Sequence, residues 1–244
     1  DLVTIMSTLD MMVTSCQGIE KIKGSDGILI VRVSREYGRY HHPNLSIDPD
    51  MAHERRVQFE CAQMARFCLF ATLAVASLRQ HGIPVPTLRG IRAGISCGPV
   101  TAGVLGTYEL MYDVFGDTVN TAARLMGKAG LHQVIATERV AQAATAIDSM
   151  EGHPFATRGH GLILRSRPSL LFLKGKGVFP VRRLGLSHKD WTRTRRWVFV
   201  ALLGLHSQHG ERSSWVDKVG VGYIHVVIVI TSMGLIVSIV SPTA

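Results

Sequence analysis

The run "MYDVFGDTVNTAARLM", residues 111–126, limits what this chain can fold into more than any other stretch. Gly116 and Asp117 read as a turn. Behind them Val119, Ala122, Ala123 and Met126 recur at helical spacing, so Asp117 or Thr118 is expected as the N-cap of a helix. Asn120 and Arg124 stand four residues apart and therefore project from one face of that helix. An amide donor and a fixed cation pointing the same way suit an anionic, hydroxyl-bearing ligand such as a nucleotide. The same residues also read as an exposed helix with an ordinary polar face, and this run by itself leaves both readings open.

The rest of the chain supplies alternating elements. Leu2, Ile5, Met6, Leu9 and Val13 suit a helix over 1–16. "GIEKIK", "GSDG" and "ILIVRVS" read as strand, tight turn and strand, with glycines at both ends of the turn to allow positive φ. "YGRYHHPNLSIDPD" is a polar loop, and residues 53–81 form a long helix that is strongly apolar on one side. "TLRGIRAGISCGPVTAGVLG" looks like a strand running into glycine-punctuated turns. After the 111–126 run come a short strand "QVIAT", a helix from about Thr137 to Ala146, and a hairpin around "LLFLKGKGVFPVRRL". Strands and helices mix without a strict βαβ rhythm, which favours an α+β architecture.

With 244 residues, 46% of them hydrophobic, the chain can bury one substantial core. Cys16, Cys61, Cys68 and Cys97 lack CxxC spacing, which suggests a reducing compartment and no disulfide framework. No signal or transit-type segment opens the chain, and the first residue is Asp rather than Met, as in a fragment. From 151 onward 13 basic residues face four acidic ones, a surplus equal to the whole net charge of +9, so residues 1–150 are neutral overall. Apart from Trp191 and Trp197 around the 193–196 arginines, aromatic residues do not alternate with the basic ones as a stacking platform would require, which speaks against a nucleic-acid partner. Lys and Arg also collect on the cytoplasmic side of membranes.

The tail supports the membrane reading. From Val219 to Val240 no Asp, Glu, Lys or Arg occurs, about the 20 residues a helix needs to cross a bilayer. Lys218 flanks this stretch, and Trp215 and Tyr223 suit its interface. Its β-branched richness also allows two buried strands, "HVVIVI" and "LIVSIV", turned at "TSMG". The uncharged length favours a membrane-spanning helix over 219–240, preceded by a basic juxtamembrane linker over 188–218 and by a cytoplasmic domain over 1–187.

Taken in order, "IEKIK", "GIRAGISCGPVTAGVLG", "YDVFGDTVNTAARL" and "LKGKG" resemble the class III adenylyl and guanylyl cyclase catalytic domain, over roughly residues 1–185. The resemblance implies a ferredoxin-like βαββαβ core. It also implies that two domains pair head to tail, with the active site between them. One face would bring two metal-binding aspartates and the other the base-recognition, Asn and Arg residues. The reaction implied is attack of the ribose 3′-hydroxyl on the α-phosphate of a nucleoside triphosphate, assisted by two Mg²⁺ or Mn²⁺ ions, with pyrophosphate leaving.

Carried over by position, Lys23 matches the residue that contacts the purine edge, and Asp113 matches its companion. Lys and Asp suit adenine, donating to N1 and accepting from the 6-amino group; guanylyl members carry Glu and Cys there. ATP is therefore the expected substrate. Asn120 resembles the ribose-orienting residue and Arg124 the one that stabilises charge on the pentavalent phosphorus. Lys174 and, less closely, Lys176 match the triphosphate-contacting lysine, with glycines that let the backbone approach phosphates. Taken singly, Lys23 also reads as a solvated strand-end lysine, and "KGKG" as a basic hairpin turn.

The departures concern the metal site. No "DIxGF"-like stretch is present: the chain begins inside the helix that would follow it, so the core is expected to lack its first strand and one metal aspartate. The family's second aspartate, four residues after the Lys23 position, is Gly27 here. Asp26 is the metal candidate if the turn tightens and a plain turn aspartate otherwise. "HHPN" and His53 offer imidazoles at irregular spacing, as a solvated loop does. The pattern resembles the second catalytic domain of membrane adenylyl cyclases, which works beside a metal-bearing partner. The alternatives are a non-catalytic cyclase-like regulatory domain and a guanylate cyclase.

Overall fold

In the computed structural model, the residues described are 2–16, 18–25, 28–33, 49–80, 90–148, 163–186, 224–230 and 236–237. The chain runs through α1 (Leu2–Ser15), β1 (Ile19–Ser25), β2 (Ile28–Val33) and α2 (Pro49–Gln80). It continues through β3 (Ile91–Cys97), β4 (Thr101–Leu105), β5 (Met111–Phe115), α3 (Asp117–Lys128), β6 (Val134–Thr137) and α4 (Glu138–Asp148). The remaining elements are β7 (Ile163–Arg165), β8 (Ser169–Leu173), β9 (Gly177–Leu186), β10 (Ile224–Ile230) and β11 (Ile236–Val237). The expected mixed α+β architecture is what forms.

The main sheet has the order β1-β2-β10-β3-β6-β9-β7, with β8 paired to β9, and β11, β4 and β5 form a second sheet. Strand periodicity decides which face each helix covers. On β2, Leu29, Val31 and Val33 are buried in one cluster with Ile5 and Leu9 of α1, Met64 and Phe67 of α2, and Val140 of α4. Ile28 and Ile30, pointing the other way, pack with Val100 and with Ala122 and Met126 of α3. Strand β6 splits likewise: Val134 and Ala136 join the first cluster, whereas Ile135 joins Leu125 of α3 with Leu173 and Val181. Helices α1, α2 and α4 therefore cover one face, and α3 covers the other.

Helix α2 begins at Pro49, whose fixed φ and missing N–H suit a first turn, four residues before the expected start. Its stretch His53–Ala76 is long and apolar enough to cross a membrane. Here Val57, Cys61, Met64, Ala65, Phe67 and Cys68 of that stretch are buried in the core.

Within the expected membrane-spanning stretch 219–240 the structure describes Ile224–Ile230 and Ile236–Val237, and both are strands. Strand β10 lies between β2 and β3 and runs parallel to both, with Val227 opposite Ile30 and Gly94. The physical reason is twofold. The run Val226–Ile230 is entirely β-branched. A strand at that place also gives partners to the facing backbone edges of β2 and β3. The linker 188–218, the "HHPN" loop and Asp26 lie outside the described residues.

Candidate active site

The site begins with two strands. On β1 the pairing with β2 shifts register between Lys21 and Lys23, an irregularity that re-aims the side chains after it. Lys23 reaches Asp113 on β5, with Nζ donating to Oδ2 at 3.1 Å. The two side chains are 31% and 19% exposed, so the pair is partly withdrawn from water yet open on one side. The other carboxylate oxygen, Oδ1, accepts from the Val114 backbone N–H at 2.8 Å. An ammonium has three donors and a carboxylate about four acceptor positions, so both groups keep capacity for a ligand.

Helix α3 lies against β3 because residue 94 is glycine. A Cβ there would sit 2.1 Å from the Ala122 carbonyl oxygen and 2.5 Å from the Met126 nitrogen. The expected N-cap is corrected: the cap is Gly116, at φ 127°, with no side-chain cap hydrogen bond. The side chains of Asp117 and Thr118 are engaged elsewhere. Thr118 Oγ1 donates to the Pro99 carbonyl at 2.7 Å, and the Asp117 carboxylate takes the Lys176 ammonium. The helix leaves Asn120 exposed and Arg124 half-buried. Among the described residues neither side chain has a hydrogen bond or an ion pair, so both are available to a ligand.

The "LKGKG" turn joins β8 to β9. Lys176 N–H donates to the Leu173 carbonyl at 2.9 Å, and Gly175 and Gly177 take φ values of 75° and 71°, where a side chain is strained. The Arg124 guanidinium lies over this turn, its Nη1 only 3.5 Å from where a Cβ on Gly175 would be. Lys174 is exposed. The structure therefore brings together two groups of expected site residues: Lys23 with Asp113, and Arg124 with the 174–176 turn. It adds Asp117, which sequence reasoning took only as a possible cap. The signal was faint: an acidic first turn on a helix and a basic turn 59 residues later.

No metal centre is formed by the residues described: no group of three or more His, Cys, Asp or Glu side chains among them is placed to hold an ion. Three thiols are shifted away from reactivity. Burial raises Cys16 and Cys68, and Cys61 is raised by its hydrogen bond with Cys97 and then by burial.

The fold thus makes two groupings, a Lys23–Asp113 pair on neighbouring strands and Arg124 over a glycine-rich lysine turn. Residues 2–163 match the family model for the adenylate and guanylate cyclase catalytic domain, and the chain belongs to that family. The adenylate cyclase of Mycobacterium tuberculosis (strain ATCC 25618 / H37Rv) is 38% identical over 78 residues, covering 32% of this chain and 17% of that protein. Retinal guanylyl cyclase 1 of Homo sapiens is 33% identical over 125 residues, covering 51% of this chain and 10% of that protein. The chain thus spans well under a fifth of these relatives' length. Among solved structures, the guanylate cyclase domain of RhGC from Catenaria anguillulae in complex with GTP is 18% identical with a TM-score of 0.46, over 76% of this chain and 81% of that one. The adenylyl cyclase CyaB from P. aeruginosa is 14% identical with a TM-score of 0.42, over 78% and 82%. Catalytic domains of this family bind nucleotide and work as dimers.

Proposed function

We propose that this chain is the base-, ribose- and transition-state-bearing half of a nucleotide cyclase. It converts ATP to 3′,5′-cyclic AMP and pyrophosphate beside a second cyclase domain that bears the metal site. The Lys23–Asp113 pair, closed at 3.1 Å, carries the reading. Its unused donors and acceptors match adenine, which offers an acceptor at N1 and a donor at the 6-amino group. Guanine reverses both, and would leave partly buried polar groups mismatched.

In this reading Asn120 orients the ribose and Arg124 meets the charge that develops on the phosphorus. Lys174 and Lys176 belong to the turn that faces the triphosphate. The two Mg²⁺ or Mn²⁺ ions are held mainly by the partner domain. The pairing of Ile224–Ile230 in the main sheet supports reading that stretch as part of the domain. The match to retinal guanylyl cyclases favours a second reading, cyclic GMP from GTP.

The test is a cyclase assay on the full chain, alone and mixed with a cyclase half that keeps both metal aspartates but lacks the Asn and Arg pair. ATP and GTP compete in each tube. Cyclic AMP from the mixture only is the expected result. Activity of the chain alone overturns the half-site assignment, and cyclic GMP as the main product overturns the purine assignment. Silence from a folded sample replaces the catalytic reading with a regulatory one.

A further inference from the structure

The two lysines of "LKGKG" are not equivalent. The Lys176 ammonium is held between the Asp117 carboxylate and the Phe179 ring, 5.6 Å from the ring centre, and its side chain is only 17% exposed. Lys174, two residues earlier, is exposed, and no ion pair or hydrogen bond engages its side chain among the described residues. Asp117 lies in the first turn of α3, where a carboxylate complements the helix dipole, and it is 77% exposed. Left unpaired, that carboxylate would repel a triphosphate arriving at the same turn.

We propose that Asp117 and Lys176 are a positioning pair for the reaction proposed above, locking the 173–177 turn onto the start of α3 so that Arg124 overlies Gly175 and Lys174 is left to meet the triphosphate. The inference rests on the cyclase reading. Two further contacts form the same junction. Leu125, next to Arg124, is packed in one buried cluster with Leu173 at the start of the turn. The missing Cβ of Gly175 leaves room for the Arg124 guanidinium. The packing brings helix and turn together, and the ion pair sets their angle. Because Asp117 is largely exposed, the pair adds little to overall stability, and its effect is read in geometry and turnover.

The test uses the full chain mixed with the metal-bearing cyclase half, reading KM and kcat for ATP together with amide hydrogen exchange over 173–177. Asp117→Asn and Lys176→Met are each expected to speed exchange in the turn and to lower kcat on the order of tenfold with a smaller change in KM. The double variant is expected to cost no more than either single. Lys174→Met is expected to raise KM and leave exchange unchanged. A Lys176→Met variant that raises KM as Lys174→Met does, while Asp117→Asn changes nothing, makes Lys176 a direct triphosphate ligand and overturns the proposal. Unchanged exchange in both single variants overturns it as well. If the wild-type mixture makes no cyclic nucleotide, the cyclase reading falls, and the exchange measurement still decides whether the pair holds the turn.

Discussion

Lys23 and Asp113, 90 positions apart in the chain, close to 3.1 Å across the junction of the two sheets. In the proposed reading, exchanging them for the Glu and Cys of guanylyl members removes the donor to N1 and the acceptor for the 6-amino group. Lys23→Glu with Asp113→Cys is expected to lower kcat/KM for ATP by roughly ten- to a hundredfold and to shift the ATP-to-GTP ratio toward GTP. Steady-state assays with both nucleotides check this, and an unchanged ratio would count against the pair as the purine selector.

Arg124 has no partner among the described residues, so its loss leaves no buried carboxylate unpaired. Arg124→Ala is expected to reduce kcat in the complemented assay by about 10²–10³ while nucleotide binding changes little, as its proposed role on developing charge requires. Equilibrium nucleotide binding, measured beside turnover, separates this from a simple binding role.

Gly94 and Gly127 offer a paired test of packing. A methyl group at Gly94 meets the Ala122 carbonyl at 2.1 Å, whereas at Gly127 nothing lies within 4 Å. Gly94→Ala is expected to destabilise the domain by about 3 kcal/mol or more. Gly127→Ala, within α3, is expected to stabilise it by up to about 1 kcal/mol. Thermal or urea unfolding reads both, and equal midpoints would place α3 elsewhere on the sheet.

Val227 stands opposite both Ile30 and Gly94 in the middle of the main sheet. Proline there removes an amide donor from a central strand. Val227→Pro is expected to lower the unfolding midpoint of the full chain markedly. If residues 219–240 cross a bilayer instead, the same change leaves the unfolding of the cyclase domain where it was.

The buried thiols set a pH response. Cys68 is pushed well above its ordinary 9.0 by burial. The unfolded thiol ionises near 9.0 and the folded one only at higher pH. The stability held by the neutral thiol is therefore complete below pH 9.0 and falls as pH rises toward the folded value. At neutral pH, Cys68 and Cys61 are expected to resist alkylation in the folded chain and to react at once in denaturant, which a thiol-counting assay resolves.

Much of the secondary structure was legible along the chain. The 53–81 pattern found the helix at Pro49–Gln80, "QVIAT" found β6, and the "LLFLKGKGVFPVRRL" hairpin found β8 and β9, because each rests on local periodicity or turn chemistry. The N-cap was read wrongly because the side chains of Asp117 and Thr118 are drawn off by Lys176 and the Pro99 carbonyl. For the uncharged tail the sequence allows a membrane-spanning helix, by length and flanking residues, or two strands, by β-branched composition. Of that tail, Ile224–Ile230 is described as a strand paired with β2 and β3.

By itself the sequence determined that Asn120 and Arg124 share a helix face, that glycines punctuate a lysine turn, and that the motifs follow cyclase order. These follow from spacing within a few residues, where backbone geometry is fixed by the element. Only the tertiary structure decided that Lys23 meets Asp113, that Lys176 takes Asp117 while Lys174 stays free, and that β10 enters between β2 and β3. Those choices depend on strand order and on which faces pack, across separations of 59 and 90 residues over which local periodicity carries no information.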